Sequence, residues 1–119
     1  MAEHIITGAK GEGLAIRFLE EKGYEIMATN WKFLQLELDI IARKGDILIV
    51  AEVKTRKSNY FGEPETFVNR QKQRNIIKAA HHYVLQNKLD VEIRFDILSI
   101  IYSDVDYRIH HIEDAFYAL

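Results

Sequence analysis

The sequence predicts a mixed α/β domain in which helices pack on a central sheet. Three observations predict it. Two segments, Thr7–Lys22 and Asn69–Gln86, carry apolar residues at helical spacing. The stretches between and after them alternate apolar with polar residues at period two, as strands do. A Gly45-Asp46 pair separates two β-rich runs, which is the layout of a tight hairpin. The expected order is helix, three strands, helix, two strands.

The first helix takes Thr7 as its cap and Gly23 as its left-handed C-terminal residue. Ala15, Phe18, Leu19 and Lys22 follow its spacing, and Glu12 falls on the same inward face as Ala15 and Leu19. A carboxylate on such a face is unusual unless it sits at a boundary and reaches water. Tyr24–Lys32 reads as a strand, with Tyr24, Ile26 and Ala28 alternating against Glu25, Met27 and Thr29. In the hairpin that follows, glycine at the first central position suits a type II′ turn. Lys44 then faces Ile47, Asp39 faces Glu52 and Glu37 faces Lys54, with all four last-named side chains on one face of the sheet. Leu38, Ile40, Ala42, Ile49, Ala51 and Val53 take the other face. Phe61-Gly62-Glu63-Pro64 reads as a loop. The second helix presents Ile76, Ile77, Ala80, Tyr83 and Val84 to the core, with Lys72 one turn before Ile76 at the edge of that stripe. Val91–Ile101 is a strand with Val91, Ile93, Phe95 and Ile97 on one side. Tyr107–Ile112 is a weaker one.

Length and composition bound the class. The 119 residues amount to one domain, 48% hydrophobic and 29% charged, which is ordinary globular composition. The net charge of −2 excludes a globally basic nucleic-acid coat. The absence of cysteine excludes a disulfide scaffold, a thiolate zinc site and a cysteine nucleophile together. No apolar run approaches the roughly 18 residues of a membrane span, and the first residues lack the layout of a signal peptide. A cytoplasmic protein with no membrane partner is expected.

The grouping that carries chemistry is Asp39, Glu52 and Lys54. A Glu-x-Lys triplet alone means little, since about two are expected by chance at this composition. The two that occur are Glu20/Lys22 and Glu52/Lys54. The second differs by context, because it ends an apolar strand with an acid waiting across the hairpin. Two carboxylates a few Å apart repel each other unless a cation lies between them. Oxygen ligands favour Mg²⁺ or Mn²⁺. Such an ion activates water and offsets charge on a phosphoryl oxygen, and a nearby lysine can orient or deprotonate that water. The grouping therefore reads either as a hydrolytic centre for a phosphodiester or as a cross-strand ladder of ion pairs on a solvated face.

The surroundings are basic. Between Lys54 and Lys78 there are seven basic residues (Lys54, Arg56, Lys57, Arg70, Lys72, Arg74, Lys78) against Glu63 and Glu65. A local excess in an acidic protein suits a polyanionic substrate. Arg56, Lys57, Arg70, Lys72 and Arg74 are the expected nucleic-acid contacts, and Tyr60 and Phe61 could stack on bases. A solvated helix face and an ordinary loop anchor explain the same residues without a ligand.

Six short motifs occur in order: Gly11-Glu12, Glu37-Leu38-Asp39-Ile40-Ile41-Ala42, Glu52-Val53-Lys54-Thr55-Arg56, Phe61-Gly62-Glu63-Pro64, Lys72 ahead of Ala79-Ala80, and Arg94-Phe95-Asp96. Together they resemble the YraN family of small bacterial proteins. That family is similar in turn to archaeal Holliday-junction resolvases of the PD-(D/E)xK nuclease superfamily. The resemblance implies a restriction-endonuclease-like fold, an αβββαβ core on a central mixed sheet flanked by helices. It implies Asp39 and Glu52 as metal-binding carboxylates and Lys54 as the catalytic lysine. Glu12 would be a further metal ligand from the first helix and Glu37 an accessory acid. Lys72 would be a basic contact to the scissile phosphate. The backbone of Val53 is a further candidate ligand for Mg²⁺ or Mn²⁺. By analogy with those resolvases, a homodimer formed through a sheet edge is expected. Where the family usually has glycine before the Glu37 position, this chain has Leu36.

The function expected is a metal-dependent endonuclease acting on branched or structured DNA. The alternatives are a module on the same fold that binds nucleic acid or a protein without cutting, and an interaction protein whose carboxylates form a solvated ladder. Other catalytic schemes find no support. The six glycines make no phosphate-loop fingerprint. His81-His82 and His110-His111 are adjacent pairs, not the helical spacing that chelates zinc. Ser58, Ser99 and Ser103 lack a nucleophile-elbow context.

Overall fold

In a computed structural model the chain is described over residues 8–58 and 68–117. The order is α1 (Gly8–Glu21), β1 (Glu25–Phe33), β2 (Leu36–Lys44), β3 (Ile47–Lys57), α2 (Arg70–Gln86), β4 (Glu92–Tyr102) and β5 (Tyr107–Phe116). This is the expected order of elements. Thr7 and the segment holding Tyr60, Phe61 and Pro64 lie outside the described residues.

The strands form one five-stranded sheet in sequential order, β1-β2-β3-β4-β5. β3 and β4 are parallel and every other pair is antiparallel. α2 is the crossover that a parallel pair requires. Each helix covers one face. Ala15 and Leu19 of α1 pack on Ile40, Ala42, Ile49, Ala51, Leu98 and Ile100. Ile76, Ala79, Ala80 and Tyr83 of α2 pack on Ile41, Leu48, Val50, Phe95 and Ile97. Buried on both faces, β3 reads as an unbroken apolar run rather than an alternating one.

Local chemistry sets the element ends. Gly23 has φ 94, the left-handed conformation that closes α1. Asn69 caps α2, its Oδ1 accepting the Lys72 amide at 2.9 Å. At the β2–β3 turn Gly45 has φ 61 and Asp46 stays at negative φ, the sign pattern of type II′. The register follows as expected, from Lys44↔Ile47 to Ile40↔Ala51.

Two expectations fail, both through broken alternation. In β1 a bulge between Ile26 and Ala28 sends Ile26 to the α1 side and Ala28 to the α2 side. In β2, Leu38 packs with Ile41 on the α2 side and not with Ile40 and Ala42 on the α1 side. The β2–β3 ladder stops at Ile40↔Ala51, one residue short of Asp39 and Glu52. Beyond that point the regular ladder of β3 continues with β4, through Lys57↔Tyr102. On the other flank of β2, the pairs Thr29↔Ile40 and Trp31↔Leu38 bracket Asn30, which has φ 49. Both neighbours of β2 thus depart from regular pairing at the level of Asp39, which releases its side chain from strict alternation.

Candidate functional site

Asp39 replaces the missing rung of the ladder. Its Oδ2 accepts the Val53 amide at 2.9 Å, and its own amide donates to Glu52 Oε2 at 3.3 Å. Side chain and backbone of the two strands are therefore stitched together where the strands part. The two acids are adjacent, as the hairpin register requires. They meet through these bonds and not as a direct cross-strand pair.

Glu52 is the most deeply placed of the acids, 3% exposed. Lys72 reaches it from α2, with Nζ 3.5 Å from Oε1. That ion pair is not enough to keep Glu52 in the ordinary carboxylate range. Burial, reinforced by repulsion from Asp39, pushes its pKa up to about 8. Burial also raises Asp39, against the Val53 amide and Lys72, which lower it. Lys72 thus favours the charged form of both acids and outweighs burial in neither.

A polar cleft of about 340 Å³ opens beside them, lined by Glu12, Asn30, Glu37, Asp39, Val53, Lys54, Thr55 and Arg56. Lys54 follows Glu52 by two residues on β3. Its pKa is lowered, first by burial and then by repulsion from Arg56 and Lys72. Glu12 enters from α1, where Asn30 Nδ2 donates to its Oε1 at 2.6 Å. Its pKa is raised by burial, with smaller contributions from Asp39 and Glu37. Glu37 stands at the rim, 3.9 Å from Lys32.

The sequence-predicted residues therefore divide. Asp39, Glu52, Lys54, Val53 and Lys72 converge. Glu12, Glu37 and Arg56 border the same cleft. Lys57 is exposed at the end of β3. Arg70 and Arg74 line a different hollow, on another side of α2. Among the described residues no three His, Asp or Glu side chains already form a metal-holding group.

Two cleft residues escaped sequence reasoning. Asn30 holds Glu12 and breaks β1, and asparagine is the residue that most readily adopts positive φ without being glycine. An asparagine inside a strand-like run was the available signal. Thr55 sits where α1 crosses β3. A Cβ on Gly11 would strike its Oγ1, so only glycine lets the helix approach this closely.

The hard oxygen donors of Asp39 and Glu52, both held above their usual range by burial, fit a divalent cation such as Mg²⁺ or Mn²⁺. A bound cation would remove the repulsion that the Lys72 contact leaves.

The model of a family described as "Uncharacterised protein family UPF0102" matches residues 11–100. A UPF0102 protein of Flavobacterium psychrophilum is 50% identical over 117 residues, covering 98% of each chain. One from Christiangramia forsetii is 48% identical over 117 residues, again covering 98% of each. One from Bacteroides thetaiotaomicron is 43% identical over 117 residues, covering 98% of this chain and 97% of its own.

Proposed function

The chain belongs to the UPF0102 family, the YraN-like group, and we propose that it is a metal-dependent endonuclease with a restriction-endonuclease-like core, hydrolysing phosphodiester bonds in branched or otherwise structured DNA. The observation that carries this reading is the placement of Asp39 and Glu52 where β2 and β3 part, with Lys54 beside them. A fold gains no stability by burying two repelling acids, and such an arrangement is characteristic of a site with a chemical task.

The residues take these roles. Asp39, Glu52 and the Val53 backbone would hold Mg²⁺ or Mn²⁺, with Glu12 joining from α1. Bound there, such an ion would acidify a water and offset charge on a phosphoryl oxygen. Lys54, whose pKa burial lowers, orients the attacking water, and in its neutral amine form it would accept that water's proton. Lys72 and Arg56 supply the positive charge that positions the phosphate. Glu37 acts as an outer acid at the rim. The Asp39–Val53 bond fixes the carboxylate without a flexible linker, so little reorganisation accompanies binding.

The test is cleavage of end-labelled single-stranded, duplex, flapped and four-way-junction DNA with Mg²⁺, Mn²⁺ or EDTA. Wild-type protein is expected to cut a structured substrate only with metal. Lys54→Ala and Asp39→Asn are expected to lose at least a hundredfold in rate while still binding DNA. Undiminished cutting by Asp39→Asn would remove the assignment. Binding without cutting of any substrate would leave the non-catalytic module as the better account.

A further inference from the structure

A second hollow of about 760 Å³ lies along α2 and shares no lining residue with the carboxylate cleft. Arg70, Arg74 and Lys78 edge it at four-residue intervals, all exposed. On a helix that interval advances each cation by about 6 Å along one face. The opposite wall is the end of β5, where Tyr117 is 65% exposed. Among the described residues no carboxylate lines this groove. Lys72 belongs elsewhere: at about 100° per residue it leaves α2 on the side away from Arg70 and Arg74, and it meets Glu52. The helix therefore carries two sets of cations serving two different surfaces.

The chemistry of the groove selects its occupant. Three cations in a row, on a chain of net charge −2, attract a polyanion locally against the sign of the whole molecule. Their regular interval suits a polymer with one charge per repeat better than a single phosphate. An acidic peptide would satisfy the cations but would make no use of the tyrosine. A nucleotide strand uses both, its phosphates meeting the cations and a base lying on the ring. A base can lie on the ring only when it is free of its duplex. We infer that this groove binds a single-stranded nucleic-acid segment, with its phosphates on Arg70, Arg74 and Lys78 and a base stacked on Tyr117. The inference does not require the carboxylate cleft to be hydrolytic.

The experiment is a fluorescence-anisotropy titration of the full chain with a short labelled oligodeoxythymidine, in EDTA so that no cutting intervenes, over a range of salt. Competitors are unlabelled duplex of the same length and polyglutamate. The Arg70→Ala/Arg74→Ala/Lys78→Ala variant is expected to bind at least tenfold more weakly. Its salt slope should fall by about 2, since each single-strand phosphate contact contributes about 0.7. Tyr117→Ala is expected to lose about fivefold or more with an unchanged slope, as loss of stacking requires. Arg70→Lys/Arg74→Lys should keep the slope, which separates lost charge from lost folding. Wild-type affinity and slope in the triple variant would overturn the inference. So would displacement by duplex or polyglutamate as effective as by single strand, or no binding of the oligonucleotide by wild type. Because metal and cleavage are absent, a failed nuclease assay leaves this result untouched.

Discussion

Glu52 shows what burying a single acid costs a fold. With a folded pKa near 8 against 4.5 for the free group, the native state holds a proton that the unfolded chain gives up. Stability is therefore retained below about pH 4.5 and is lost as pH rises through about 8. Glu52→Gln keeps the shape and an acceptor for the Asp39 amide but carries no charge. At pH 9 in EDTA this variant should melt above wild type, by roughly 5 °C or more, while at pH 4 the two should nearly coincide. Thermal melts across that range check it. A variant that melts below wild type at pH 9 would mean that the Lys72 contact outweighs burial. Site variants that stabilise a fold while removing its activity are the usual mark of functional strain.

Within α1 two glycines two residues apart have opposite meanings. Gly13 faces open space, with nothing within 4 Å of an added Cβ, so Gly13→Ala should stabilise the helix by about 0.5–1 kcal/mol. Gly11 lies against Thr55, whose branched side chain has little freedom to yield. Gly11→Ala should cost roughly 1–3 kcal/mol and shift Glu12 away from the cleft. Adding Thr55→Ala should recover most of that loss. Urea midpoints of the three variants check the signs, and a neutral Gly11→Ala would show that α1 can slide freely over β3. The same helix marks where sequence reading works and where it stops. Its extent, its apolar face and the inward position of Glu12 follow from spacing. The element order and hairpin register follow equally, because turn chemistry and period are local. The distortions at Ile26, Asn30 and Leu38 do not, because each answers to a neighbouring strand. Arg70 and Arg74 were legible as cations near a site, but the direction in which each leaves α2 became plain only once Glu52 had claimed Lys72.

Across the whole molecule, the charged cluster that ties β4 and β5 to the ends of α1 and β1 lies apart from the residues assigned to its chemistry. Asp96, fully buried on the α1 side of β4, gathers four donors: Arg94 Nε at 2.9 Å, Arg94 NH2 at 2.8 Å, His111 Nε2 at 2.7 Å and the Asp114 amide at 3.1 Å. Lys22, just after α1, donates to the other ring nitrogen of His111 at 2.8 Å. A lysine only donates and a carboxylate only accepts, so the tautomer of His111 that serves both partners carries its proton on Nε2. Tyr24, at the entry to β1, is tied in by Arg94 NH2 at 2.8 Å. One carboxylate thus joins the ends of α1 and β1 to β4 and β5 without lending a side chain to the cleft or the groove. These bonds hold its pKa below the usual 3.8 despite burial, so its stabilisation is present above about pH 4 and is lost as pH falls further. This is the opposite sign to Glu52, so the two groups pull stability in opposite directions as pH changes. Asp96→Asn turns an amide group toward donors and should cost about 3 kcal/mol at pH 7, lowering Tm by roughly 10 °C. Its penalty should shrink as pH falls below 4, where wild type loses the same charge. Well below its own Tm, the variant should retain DNA binding and metal-dependent cutting within about twofold of wild type. Loss of cutting in a variant with an unchanged melt would move Asp96 from the frame of the protein into its chemistry, and would break the division between the two sets of charges.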